Sequence, residues 1–113
     1  MNIYFINKLY ADCAQGNQLD PGVRNNVRYW MRECDISFEE LAFTEEELEA
    51  MARQISARYI NLLVAEFEQR KCCDPDFGSS IRMMMRMTNV TFEELAFTEA
   101  ELEAKVRDIC QKV

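Results

Sequence analysis

Phe38-Glu39-Glu40-Leu41-Ala42-Phe43-Thr44-Glu45-Glu46-Glu47-Leu48-Glu49-Ala50 decides the reading of this chain, because it returns as Phe92 to Ala104 with a single change, Glu46 to Ala100. A shift of 54 positions without a gap also pairs Asp20-Pro21 with Asp74-Pro75 and Arg28 with Arg82. The same shift places Ile6, Leu9, Tyr10 and Cys13 on Ile60, Leu63, Val64 and Phe67. Self-similarity at a fixed period is the mark of a repeated structural unit.

The quoted stretch carries two helix-start signals only seven residues apart. Ser37 with Glu40, then Thr44 with Glu47, fit the capping box, in which a hydroxyl and a carboxylate satisfy each other's orphan backbone donors. Any helix between the two boxes is therefore a turn long, and Phe38, Leu41 and Phe43 sit on it. Thr91 with Glu94 and Thr98 with Glu101 repeat both signals.

Working outward, no glycine or proline interrupts the chain from Thr44 until Pro75, and Leu48, Met51, Ile55, Tyr59, Leu62, Leu63 and Phe67 keep an apolar stripe. This predicts one helix from about Glu45 to Arg70, about 40 Å long at 1.5 Å per residue, with Ser56-Ala57 the place for a kink. Upstream, Ile6, Leu9, Tyr10 and Cys13 recur at helical spacing and Gly16-Asn17 is a stop. Asp20-Pro21 then reads as an N-cap followed by proline at the first helical position. Val23, Val27, Trp30, Met31 and Cys34 form that helix's buried stripe, while Arg24, Arg28 and Arg32 lie on another face. Asp74-Pro75 opens the equivalent helix with Phe77, Ile81, Met84 and Met85 inward.

The expected fold is all-α: a compact helical bundle of two tandem 54-residue repeats, each helix, helix, short helical turn, helix. The units, about 7–60 and 61–113, share the long central helix and are expected to pack around a pseudo-twofold axis as a single domain over 1–113. A unit this small cannot bury its apolar faces alone. At 113 residues the chain has the usual size of one domain.

Twenty acidic against thirteen basic residues and no histidine give a formal charge of −7. That balance repels nucleic acid and anionic membrane surfaces, so neither direct DNA binding nor membrane binding is expected. A helix–turn–helix outline over Ile36 to Arg53 would present Thr44-Glu45-Glu46-Glu47 to phosphates, which is the wrong sign. No apolar run approaches a membrane span, and the basic-then-apolar pattern of a secretory signal is missing, so a cytoplasmic protein is expected. Five cysteines, odd in number and irregular in spacing, read as reduced thiols.

No catalytic signature is present. Paired carboxylates can hold metals, but the helical di-metal pattern needs histidine, and no glycine-containing acidic calcium loop occurs. Cys72-Cys73 lies beside Lys71 with no histidine to activate a nucleophile. No catalytic residue, metal or cofactor is therefore expected. The surplus of negative charge points instead to a protein partner with a basic surface, contacted through Glu39, Glu45, Glu46 and Glu49 and, in the second copy, Glu93, Glu99 and Glu103.

The expected function is a non-enzymatic regulator or inhibitor. Its sharp form is a nucleic-acid mimic that blocks a nucleic-acid-binding protein, as small phage-encoded inhibitors of bacterial defence complexes do. The bland reading is that these carboxylates stabilise helix N-termini and pair with the protein's own arginines. The alternative function is a scaffold or assembly adaptor, with a homodimer among its forms, that uses an apolar surface of Phe77, Met83 and Met87.

Overall fold

The computed structural model describes residues 3–111. Among them are five α-helices and two single-turn 3₁₀ helices, with no strand. The order is α1 (Ile3–Ala14), α2 (Val23–Glu33), a 3₁₀ turn at Phe38–Glu40, α3 (Glu45–Arg70), α4 (Phe77–Thr88), a 3₁₀ turn at Phe92–Glu94, and α5 (Glu99–Gln111). The all-helical reading holds, and α3 is one helix of 26 residues. Among the described residues no helix is long and apolar enough to cross a membrane.

The capping signals explain where the helices begin. Thr44 N–H donates to Glu47 Oε1 at 2.9 Å while Glu47 N–H donates to Thr44 Oγ1 at 3.1 Å, which opens α3. Thr98 and Glu101 do the same for α5, at 3.0 and 3.1 Å. At the 3₁₀ turns, Glu40 accepts the Ser37 N–H at 2.9 Å and Glu94 accepts the Thr91 N–H at 2.8 Å.

The Asp-Pro pairs act differently from the sequence expectation. Helices α2 and α4 start at Val23 and Phe77, two residues beyond the prolines. Asp20 Oδ1 accepts the Gly22 N–H at 2.9 Å, and Val23 N–H reaches the Asp20 carbonyl at 3.1 Å. Asp74 repeats this with Asp76 and Phe77, both at 3.1 Å. The aspartate side chain closes a turn in which proline supplies the second residue, and the helix follows that turn.

Left-handed residues end three of the helices: Asp35 (φ 54°) after α2, Lys71 (φ 54°) after α3 and Asn89 (φ 58°) after α4. Ile36 N–H reaches back to the Met31 carbonyl at 2.8 Å and Val90 N–H to the Met85 carbonyl at 2.9 Å. These six-residue return bonds satisfy carbonyls that the helix ends leave open.

The chain divides into two compact units at Ser56/Ala57, inside α3. In the first, α1, α2, the 3₁₀ turn and α3 up to Ser56 enclose Ile6, Val23, Val27 and Leu48, all fully buried, with Phe43 and Ile55 beside them. Tyr10 stacks on Phe43 at a 4.1 Å centroid distance, and Phe38 meets Phe43 edge-on at 6.2 Å. In the second, α3 from Ala57, α4, the 3₁₀ turn and α5 enclose Ile60, Val64, Ile81, Met85, Phe97 and Leu102. Phe67 stacks on Phe77 at 4.0 Å, and Phe92 meets Phe97 edge-on at 6.1 Å.

Candidate functional site

Arg24 and Arg28 are four apart on α2, and Glu45 and Glu49 are four apart on α3, so each pair shares one helix face. The helices bring the two faces together. Arg24 Nε lies 2.9 Å from Glu49 Oε1, and Arg28 Nη2 lies 2.6 Å from Glu49 Oε1 and 3.0 Å from Glu45 Oε1. In the second unit Arg82 Nη2 lies 3.2 Å from Glu99 Oε1 and 2.5 Å from Glu103 Oε1. Gly78 occupies the position 54 residues beyond Arg24, so Glu103 lacks the counterpart of the Arg24–Glu49 pair.

These contacts set the local electrostatics. Hydrogen bonds to Glu49 first, then to Glu45, hold the Arg28 guanidinium in its charged form and raise its pKa against the opposing effect of partial burial. Partial burial pushes the Glu49 carboxyl up, but the hydrogen bonds and charges of Arg28 and Arg24 together outweigh it and hold it below the usual carboxylate value. The Arg28 guanidinium also lies 5.9 Å from the centroid of the Phe38 ring, within cation–π range. Met31, Ile36 and Phe38 join Arg28, Arg32 and Asp35 in an open cleft of about 470 Å³ beside it.

The seven candidate glutamates therefore separate into two groups. Glu45, Glu49, Glu99 and Glu103 are bound to the protein's own arginines. Glu39, Glu46 and Glu93 are exposed and form no ion pair among the described residues. Glu39 and Glu46 flank the start of α3, and Glu93 lies on the second 3₁₀ turn before α5. The sequence could not make this division, because the arginine partners lie 17 to 25 residues away along the chain.

The apolar candidates divide as well. Phe77 is half-buried and stacked on Phe67, so it belongs to the edge of the core. Met83 and Met87 are 55% and 74% exposed and, four residues apart, share one face of α4. Tyr29 on α2, the residue 54 positions before Met83, is 49% exposed and meets Trp30 edge-on at 5.2 Å.

Two residues escaped the sequence reading altogether. Asn7 Oδ1 accepts the Ala42 N–H at 2.9 Å, and Asn61 Oδ1 accepts the Ala96 N–H at 2.9 Å, so each asparagine fastens exposed backbone just after a 3₁₀ turn to a helix 35 residues upstream. The identity of positions 7 and 61 under the 54-residue shift was the available signal.

The cysteines correct an expectation. Cys73 and Cys110 form a disulfide, with Cα atoms 4.5 Å apart, while Cys13, Cys34 and Cys72 are not disulfide-bonded. Count and spacing along the chain cannot show that the loop before α4 and the end of α5, 37 residues apart, bring their thiols together. Cys13 behaves as read: burial, then the charges of Asp20 and Asp12, push its thiol pKa up and disfavour the reactive thiolate. No group of three or more metal-ligating side chains occurs among the described residues. Comparison with protein-family models, curated proteins and solved structures finds no match for this chain.

Proposed function

We propose that this chain is a non-enzymatic acidic binding module, built by duplication of a 54-residue unit, that regulates or inhibits a protein partner by docking on its basic surface. The observation that carries this reading is the placement of Glu39, Glu46 and Glu93. They stand exposed where helical segments begin, and none of them is ion-paired among the described residues. Helix N-termini tolerate such charge at little cost, so carboxylates there can be held ready for a partner without weakening the fold. Glu45, Glu49, Glu99 and Glu103 then serve chiefly to join α2 to α3 and α4 to α5, a role distinct from the direct contact expected of them. Mimicry of a nucleic acid is the sharpest form of the proposal, and an intracellular location belongs to it.

A second reading rests on a separate observation, the exposure of Met83 and Met87. An adaptor would use this flexible apolar face, with side chains that repack against different surfaces.

The test is capture of a partner from native-host lysate by the parent and two variants. The triple variant Glu39→Gln, Glu46→Gln, Glu93→Gln is expected to weaken retention of a basic protein by roughly tenfold, about 1.4 kcal/mol. Added salt should release the same protein from the parent. Retention unchanged by the triple variant and by salt, but lost with Met83→Glu and Met87→Glu, would replace the acidic reading with the apolar one.

A further inference from the structure

Under the 54-residue shift, Cys73 falls on Leu19 and Cys110 on Ser56, so the disulfide of the second unit has no counterpart in the first. The first unit holds the corresponding segment, 17–22, by other means. Leu19 packs half-buried against the core, and Asp20 Oδ2 accepts a second hydrogen bond from the Asn26 side chain at 3.0 Å. In the second unit the segment 71–76 is exposed throughout, the position of Asn26 is taken by Ser80, and the apolar anchor is replaced by a cysteine. Besides local hydrogen bonds, from Lys71 N–H to the Phe67 carbonyl, from the Cys72 thiol to the Arg70 carbonyl and within the turn at Asp74, the segment has one covalent bond to α5.

That bond sits where exchange chemistry can reach it. Cys73 is exposed and Cys110 is half-buried. It also lies at an open cleft of about 260 Å³ between Pro75, Gly78 and Arg82 on one side and Glu103, Val106 and Cys110 on the other. The Cα separation of 4.5 Å falls within the range a disulfide needs.

We propose that Cys73 and Cys110 form a reversible latch that fastens segment 71–76 and the start of α4 to α5 when oxidised and releases them when reduced. The oxidant is a small disulfide of the glutathione class. The Cys73 thiolate attacks it, giving a mixed disulfide and one small thiol; the Cys110 thiolate then attacks the Cys73 sulfur and expels the second small thiol. Two protein thiols are oxidised, the small disulfide is reduced, and the two protein protons end on the two small thiols. The inference is independent of which surface binds the partner.

The experiment equilibrates the full chain in buffers of graded reduced-to-oxidised glutathione ratio, traps thiols by alkylation, and follows melting temperature and amide hydrogen exchange. Closing a loop of this length restricts the unfolded chain enough that reduction should lower the melting temperature by roughly 10 °C. Exchange should speed up in 71–76 and at the start of α4, while 17–22 is unchanged. The double variant Cys73→Ser, Cys110→Ser should show the reduced behaviour in every buffer, and Cys72→Ser should switch like the parent. If the double variant does not fold, the parent treated with a phosphine reductant gives the same comparison. Failure to form the bond in oxidising buffer would overturn the latch. So would retention of the bond at every ratio, or a melting temperature and exchange pattern insensitive to it.

Discussion

Asn7 and Asn61 show how a single polar side chain can organise a segment. Each supplies an acceptor to a backbone N–H that follows a 3₁₀ turn, where the chain has no helical or sheet partner to offer. Such donors need a partner wherever water is partly excluded. Asn7→Ala and Asn61→Ala are each expected to lower stability by about 1 kcal/mol, measured by urea denaturation. Asn7→Asp, which keeps an acceptor in place, should recover much of the loss. Full stability in both alanine variants would show that the capping boxes and the phenylalanines hold the 3₁₀ turns without the asparagines.

At the scale of elements, the start signals of α3 and α5 are chemically identical but their helices are not. Helix α3 has 26 residues and α5 has 13, and each opens with a threonine and a glutamate that satisfy each other's backbone donors. A capping threonine contributes about 0.5–2 kcal/mol, and the shorter helix has fewer other turns to hold its first turn in place. Thr98→Ala should therefore speed amide exchange over the first turn of α5 more than Thr44→Ala does over the first turn of α3. Each should reduce overall stability within that range, read by urea denaturation. Equal protection in both helices would mean that burial of Leu48 and Leu102, not the cap, decides where they begin.

For the whole molecule, charge is the property that most separates appearance from organisation. The formal charge of −7 suggests a continuous acidic surface, yet four of the seven candidate glutamates are engaged by Arg24, Arg28 and Arg82. Glu49 links this to pH. Its carboxyl is held below its ordinary value in the fold, so its contribution is fully present above the ordinary value and is lost as the pH falls through the depressed one. Denaturation midpoints should hold steady near neutrality and drop in the acid range, below about pH 4. Glu49→Gln should flatten that drop. The side chain is 36% exposed and its pairs are screened by solvent, so the difference should not exceed about 1 kcal/mol. An identical acid profile in the variant would show that Glu49 contributes nothing to the pH dependence.

The helical elements follow from local features of the chain. Hydrophobic period, the two capping boxes and the missing glycine and proline between Thr44 and Pro75 are local properties, and they located all five helices, both 3₁₀ turns and the uninterrupted α3. The error of the sequence reading at Pro21 and Pro75 was also local, since aspartate before proline suits a turn as well as a cap. Tertiary structure alone decided which charges meet, which thiols bond and which apolar side chains stay outside. Arg28 finds Glu45 and Glu49, Cys73 finds Cys110, and Phe77 turns onto Phe67 while Met83 and Met87 do not turn inward. Those outcomes depend on how helices are brought together across 10 to 37 residues of chain, a distance over which periodicity carries no information about neighbours.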